Sequence, residues 1–323
     1  MRRNELKYSD QQLIVLIEQG YHIKGVQLHF IDTGSFYSFI IQTEKNKKFF
    51  LKIYPKNQPL VPIPPTTNTL HNMAMTLYRF RHEFGLKHVP CIIKTIKDTF
   101  CFDTYELTLI LCNYIVGSHP SYLPNELLFD KLASLLAKLH QLPTAEFTYF
   151  AQEDFDISYG LGLLNYFKQK SLFKDNIHTA SLFSQLKIYQ NQLIEKLEQL
   201  KTWQKQLQQK NIPLAITHGD PHHYNILQTQ KEVWLVDWDG IKIAPIERDL
   251  WHYQDTNLLT SYSTLNPNST IDLTLCKFYQ LQRFFEDIRY YLEQILLKRN
   301  STRAQDELDK EAFLNHWGWQ CCL

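Results

Sequence analysis

With 323 residues and a mass of 38.4 kDa, the chain is long enough for two domains that each bury a core. A hydrophobic content of 44%, with 14% aromatic residues, excludes an intrinsically disordered chain. Lys and Arg number 34 against 33 Asp and Glu, so the field of the protein exerts no strong pull on nucleic acid or anionic lipid, and neither is expected as a partner.

Residues 1–10 are polar, and no later run approaches the roughly 18 apolar residues of a membrane span, so a cytoplasmic protein is expected. The cysteines at 91, 101, 112, 276, 321 and 322 form no CxxC pair and have no histidine at zinc spacing; reduced thiols are expected. Residues 11–19 read as a short helix. Three strands follow near 25–32, 36–43 and 49–54, with Gly34 in the first link and the charged stretch 44–48 in the second, an antiparallel meander. The proline-rich stretch 55–65 must be loop. Thr66 or Thr67 then caps a helix whose Leu70, Met73, Ala74, Leu77 and Phe80 follow helical spacing up to Gly85. Strands near 91–96 and 100–111 complete a five-stranded sheet with one helix.

Around Asn113 to Gly117 the pattern turns mainly helical, which places a boundary between residues 1–112 and 113–323. A helix over 125–140 carries Leu128, Leu132, Leu135, Leu136 and Leu139 on one stripe. Residues 181–210 read as one long helix that does not sustain heptads and therefore packs within its own chain. A β-rich island spans 214–239. Helices resume near 248, with a loop over 255–270 and further helices over 271–299 and 303–316.

The island carries the chemistry. In ITHGDPHHYNIL, Asp220 stands where strand gives way to loop, and Asn225 follows within one turn of that loop. Asp237 lies in the apolar stretch VWLVDWD, where burying a carboxylate is costly unless a cation or donors meet it. A proton acceptor, an amide oxygen and a later acid at such spacing meet the needs of phosphoryl transfer: Asp220 to orient a hydroxyl and take its proton, Asn225 and Asp237 to hold Mg2+. Asp239 reads equally as a second metal or substrate contact or as a strand-end cap. His222 and His223, adjacent and without a third ligand, read as solvent-facing loop.

HGDPHHYNIL followed by WLVDWD resembles the aminoglycoside phosphotransferase and choline kinase superfamily, and APIERDLWHY (244–253) with RFFEDI (283–288) is similar to its spectinomycin phosphotransferase branch. The resemblance implies an α+β, bilobal protein-kinase-like fold with an N-terminal nucleotide-binding lobe and a mainly helical C-terminal lobe holding catalytic loop and acceptor site. It implies ATP and Mg2+ as cofactors, Asp220 as catalytic base and Asp249 as a brace for the catalytic loop. It further points to Gly34 and Ser35 as a phosphate-facing turn, to Lys52 as the strand lysine on the phosphates, and to Asn113 and Ile115 in a hinge that reads adenine. One departure stands out: no Asp or Glu occurs between Lys52 and Glu83, where the family supplies a helix glutamate to hold that lysine. Asn72, a backbone carbonyl or ATP itself is expected to hold Lys52 instead.

The acceptor is expected to be a small-molecule hydroxyl. A cationic aminocyclitol or aminoglycoside would draw on Asp255, Glu286, Asp287 or Glu293, although Glu286 and Asp287 read equally as structural helix ions; choline would use an aromatic cage from Trp251, Tyr253, Trp317 and Trp319. A metabolite kinase and a nucleotide-binding pseudokinase, the latter suggested by the missing helix glutamate, remain alternatives.

Overall fold

Alternating apolar residues build the N-terminal sheet. The computed structural model describes residues 3–24, 26–31, 36–56, 65–120, 126–168, 177–254, 256–296 and 310–322. Strands β1 (Val26–Ile31), β2 (Tyr37–Thr43), β3 (Lys48–Pro55), β4 (Phe102–Asp103) and β5 (Leu107–Asn113) form one antiparallel sheet in the order β1-β2-β3-β5-β4. Phe39 and Ile41 on β2 and Leu51 and Ile53 on β3 are fully buried, as a period of two demands of a strand with one face in a core. The count of five strands expected from the sequence holds, but 91–96 is not a strand of the sheet. Ile92 makes only an isolated bridge to Cys112, and 100–111 breaks into β4 and β5.

Helix α1 (Asp10–Tyr21) starts on a capping box between Ser9 and Gln12. Helix α2 (Thr67–His82) starts on Thr66, whose hydroxyl accepts the Thr69 N–H at 3.1 Å. It ends where Gly85 takes φ +70°, letting the Leu86 N–H reach the Phe80 carbonyl at 2.8 Å.

The chain packs as two units. The first comprises Met1–Ala151, Ala215–Ile243 and Asp255–Ser269; the second comprises Gln152–Leu214, Ala244–Gln254 and Thr270–Leu323. The first unit holds the sheet, α1, α2, helix α3 (Glu126–His140) and the β-rich island: β6 (Ala215–Thr217) and the hairpin of β7 (Ile226–Gln228) and β8 (Val233–Leu235). The leucine stripe of α3 is buried.

In the second unit, α4 (Ser158–Lys168), α5 (Ile177–Ile188), α6 (Gln190–Gln208), the short α7 (Glu247–Leu250) and the long α9 (Leu273–Leu296) surround one apolar core. Leu193, Leu197 and Leu200 of α6 join Phe278, Phe284 and Phe285 of α9 there, so this stripe is spent inside its own chain. The long helix expected over 181–210 is interrupted at Tyr189, whose ring stacks on Trp319 at 5.0 Å. The stretch expected as loop over 255–270 contains helix α8 (Leu258–Leu265), which belongs to the first unit and packs on α3 through a 2.8 Å bond between His140 and Tyr262. Of the helix expected over 303–316, residues 303–309 lie outside the described residues and 310–314 are helical.

Candidate active site

Strand β6 delivers the candidate catalytic loop, tied at its end by the Thr217 hydroxyl donating to the Lys242 carbonyl at 3.1 Å. His218, fully buried, accepts the Asp220 N–H at Nδ1 (3.2 Å) and donates from Nε2 to the Val236 carbonyl (2.9 Å). Those partners fix its neutral tautomer and join the loop to the segment after β8. Between them, Gly219 sits at φ +90°, a conformation that favours glycine. The His218 ring packs edge-on against Trp238 at 4.6 Å, and Trp238 donates its indole N–H to the Leu235 carbonyl at 2.9 Å. One buried histidine thereby sets the spacing of Asp220 and Asp237.

Asn225 donates its amide to the Asp220 carbonyl at 2.8 Å and, more weakly, to the Asp220 carboxylate at 3.4 Å. A carbonyl only accepts, so the amide nitrogen faces Asp220 and Oδ1 is left as an oxygen donor. His222 caps the turn His223–Asn225 by accepting the Tyr224 N–H at Nδ1 (3.1 Å), which leaves its Nε2–H facing Asp220 Oδ2 at 3.3 Å. The expectation that both histidines face solvent is therefore corrected for His222, which pairs with the candidate base. A histidine two residues after the aspartate was the available signal. Burial, together with His222 and His119, pushes the His223 imidazole below its ordinary pKa.

Lys52 on β3 donates to Asp237 Oδ1 and to Asp239 Oδ2, both at 2.6 Å. These acids, not Asn72, hold the lysine. Tyr54, two residues along β3 and so on the same face, donates its hydroxyl to Asp239 Oδ1 at 2.7 Å. Burial alone would depress the Lys52 pKa, but the two carboxylates reverse that and hold it above its ordinary value. Burial pushes the Asp237 carboxyl up, and the Lys52 ammonium outweighs this and leaves it below the usual carboxylate range. For Asp239, burial and the Asp237 charge win over Lys52, and its pKa is raised. Asp237 does not lie within the strand as expected: β8 ends at Leu235 and Asp237 takes φ +62°, an uncommon conformation for a residue with a side chain.

The donor set suits a hard cation. The Asn225 carbonyl accepts the Val236 N–H at 2.9 Å, so the hairpin brings Asn225 next to the residue that precedes Asp237. Asp237 uses one oxygen on Lys52, and its other makes no hydrogen bond among the described residues. Two protein oxygens beside phosphate is the set Mg2+ accepts. No cluster of three His, Cys, Asp or Glu side chains fit for a metal occurs among the described residues.

The remaining expected nucleotide residues are less uniform. Gly34 and Ser35 lie outside the described residues. Asn113 ends β5, where its N–H donates to the Cys91 carbonyl (2.9 Å) and its side-chain oxygen accepts the Cys91 N–H (2.6 Å). Ile115, two residues on, makes no backbone hydrogen bond among the described residues.

In the second unit, several expected acceptor residues are committed elsewhere. Glu293 is buried, bonded to Arg289 at 2.6 Å and to the Tyr166 hydroxyl at 3.1 Å. Asp287 pairs with Arg283 at 2.8 Å and His316 at 3.1 Å. Tyr253 and Trp319 are buried, leaving Trp251 and Trp317, 5.8 Å apart, of the proposed aromatic set. Asp255 lies outside the described residues. Asp249 is fully buried in α7.

Solved structures share this fold. Spectinomycin phosphotransferase APH(9)-Ia, in complex with ADP and spectinomycin, is 19% identical with a TM-score of 0.79, the match covering 96% of this chain and 95% of that one. Amicoumacin kinase hAmiN, in complex with AMP-PNP, Ca2+ and its ligand, is 15% identical with a TM-score of 0.64, over 97% and 96% of the two chains. A microcompartment-associated aminopropanol kinase is 13% identical with a TM-score of 0.59, over 94% of each chain. The α+β, protein-kinase-like fold expected from the sequence is therefore the observed one. No curated protein matches the chain. The sequence model of the phosphotransferase enzyme family matches residues 32–265, which include Lys52, Asp220, Asn225, Asp237 and Asp239. The chain belongs to the phosphotransferase enzyme family.

Proposed function

We propose that this protein is an ATP- and Mg2+-dependent O-phosphotransferase acting on a hydroxyl of a small molecule. One observation carries the reading: Asp237 and Asp239 share the single ammonium of Lys52, so the cluster keeps a net negative charge beside the Asp220–Asn225 pair. Crowded negative charge in a partly desolvated cluster is costly, and a divalent cation carrying phosphate would offset it.

In this reading residues 1–112 form the nucleotide lobe and 113–323 the acceptor lobe. Gly34 and Ser35 are the residues assigned to the phosphates from the sequence, and Asn113 and Ile115 border the adenine. Because the Asn113 N–H is already bonded to Cys91, Ile115 is the better candidate for reading the base. Asn225 Oδ1 and Asp237 hold Mg2+. When bound, that ion neutralises charge on the phosphate oxygens. Asp220 orients the acceptor hydroxyl and takes its proton as the new O–P bond forms and the bond from the γ-phosphorus to the ADP oxygen breaks. The Asn225 amide and the His222 Nε2–H restrain the Asp220 carboxylate in that orientation.

An aminocyclitol or aminoglycoside is the first acceptor class to try, since the similar structures include kinases of spectinomycin and amicoumacin; an amino alcohol metabolite is the second, after the aminopropanol kinase. The test is ADP release with Mg-ATP against aminocyclitols, aminoglycosides, choline, amino alcohols and sugars, with mass spectrometry of the acceptor. A gain of one phosphate on one class, abolished by EDTA, is expected. Tight nucleotide binding with no product from any acceptor would favour the pseudokinase reading.

A further inference from the structure

In the absence of a helix carboxylate, something else must hold Lys52 in line. Helix α2 turns Leu70, Met73, Ala74, Thr76, Leu77 and Phe80 to the core, and its one buried polar side chain, Thr76, is bonded to the Tyr149 hydroxyl at 2.7 Å. The support comes from elsewhere in the chain. We propose that Asp239 and Tyr54 are positioning residues that anchor Lys52 in place of the helix glutamate, which assigns Asp239 to the lysine and leaves Asp237 to the metal. The proposal rests on the phosphotransferase reading above and divides its acids between two tasks.

The two aspartates differ in what they have left to give. Both Asp239 oxygens are used, Oδ2 by Lys52 and Oδ1 by Tyr54. Asp237 has only Oδ1 engaged, and its side chain is 39% exposed against 24% for Asp239. An acid with both oxygens engaged deep in the site suits an anchor; one with an open oxygen at the surface suits a metal exchanging water for phosphate. Trp238 between them is 2% exposed and wedged between Phe80, 5.4 Å away, and His218, which fixes the direction in which its neighbours leave the backbone. Phe36 and Tyr54 rings lie 5.6 and 5.4 Å from the Lys52 ammonium and close the other sides of its box. Burial holds the Tyr54 hydroxyl pKa well above its ordinary value, so it stays a donor to Asp239. When Mg-ATP binds, Lys52 exchanges Asp237 for a phosphate oxygen and keeps Asp239.

Asp239→Asn, Tyr54→Phe and Asp237→Asn, compared for ATP KM, Mg2+ midpoint and calorimetric affinity for Mg-AMP-PNP, test this division. Losing a charge-assisted bond, Asp239→Asn should raise the ATP KM about tenfold or more with the Mg2+ midpoint unmoved. Tyr54→Phe, which removes one hydroxyl and keeps the packing, should move KM the same way by about threefold. Asp237→Asn should instead raise the Mg2+ midpoint. An Mg2+ midpoint raised as much by Asp239→Asn as by Asp237→Asn would make Asp239 a metal ligand and overturn the proposal. So would ATP affinity unchanged in Tyr54→Phe, a variant that does not depend on Asp239→Asn folding. Calorimetry gives the same comparison without turnover, so an inactive wild type would refute the proposed function and still leave the anchor decided.

Discussion

Carboxylates in the two units are balanced differently. In the second unit three acids each have their own guanidinium: Glu153 with Arg248 at 4.0 Å, Asp287 with Arg283 at 2.8 Å, Glu293 with Arg289 at 2.6 Å. In the first unit Asp237 and Asp239 divide one ammonium between them. Matched pairs are closed, and nothing further is gained by bringing another charge to them. An unmatched pair is the one that gains from a second cation brought beside it. Both regions contain acids that the sequence alone presents as equally plausible ligand contacts; the charge balance around each separates structure from chemistry.

The sharpest way to break this contrast is Asp220→Asn. Turnover should fall by about 10²–10⁴-fold, the usual contribution of a positioned proton acceptor, while the thermal midpoint stays near that of the wild type. A coupled ATP assay beside a melting curve checks it, and turnover within a few-fold of wild type would remove Asp220 from the chemistry.

Arg289→Met asks the opposite of the second unit. Glu293, 4% exposed, would lose its guanidinium at a cost of about 2–3 kcal/mol, below the full buried-pair figure because Arg289 is 25% exposed. Urea unfolding should show that loss with the ATP KM unchanged. Unchanged stability would mean that the closed pairs are not what holds this unit together.

The smallest effect is one of pH. Burial pushes the Asp287 carboxyl up, but Arg283 and His316 overcome it and hold the pKa below the ordinary 3.8. The unfolded chain therefore takes up this proton first as pH falls. The stabilisation is complete above 3.8 and lost as pH drops through the folded pKa. Wild type should exceed Asp287→Asn by about 1 kcal/mol at neutral pH, the gap closing in acid. A gap that held constant down to pH 3 would exclude titration of Asp287 as its source.

Much of the fold was legible because its signals are local. β-branched and aromatic residues between turn signals marked β1, β2 and β3, helical spacing marked α2 and α3, and Thr66 and Gly85 marked the ends of α2. The relation of Asp220 to Asn225 was legible for the same reason, since one turn of loop spans both. The breaks in that legibility are also physical. A run of good helix formers is interrupted at Tyr189, whose ring stacks on Trp319, a residue far along the chain. The strand 100–111 divides into β4 and β5, and α8 forms within a stretch whose local composition reads as loop.

By itself the sequence determined the α+β class, the order of the candidate residues Asp220, Asn225 and Asp237, and the fact that Lys52 lacks a helix glutamate. Only the tertiary structure decided what replaces it. Lys52 and Asp237 lie 185 residues apart, and no window of sequence reports that two acids, not Asn72, reach that lysine. The tertiary structure likewise committed Asp287 and Glu293 to arginines one turn away on α9, where the sequence left them equally suited to a ligand. Periodicity is a property of neighbours along the chain and survives in the string of residues; charge balance is a property of neighbours in space and exists only once packing has chosen them.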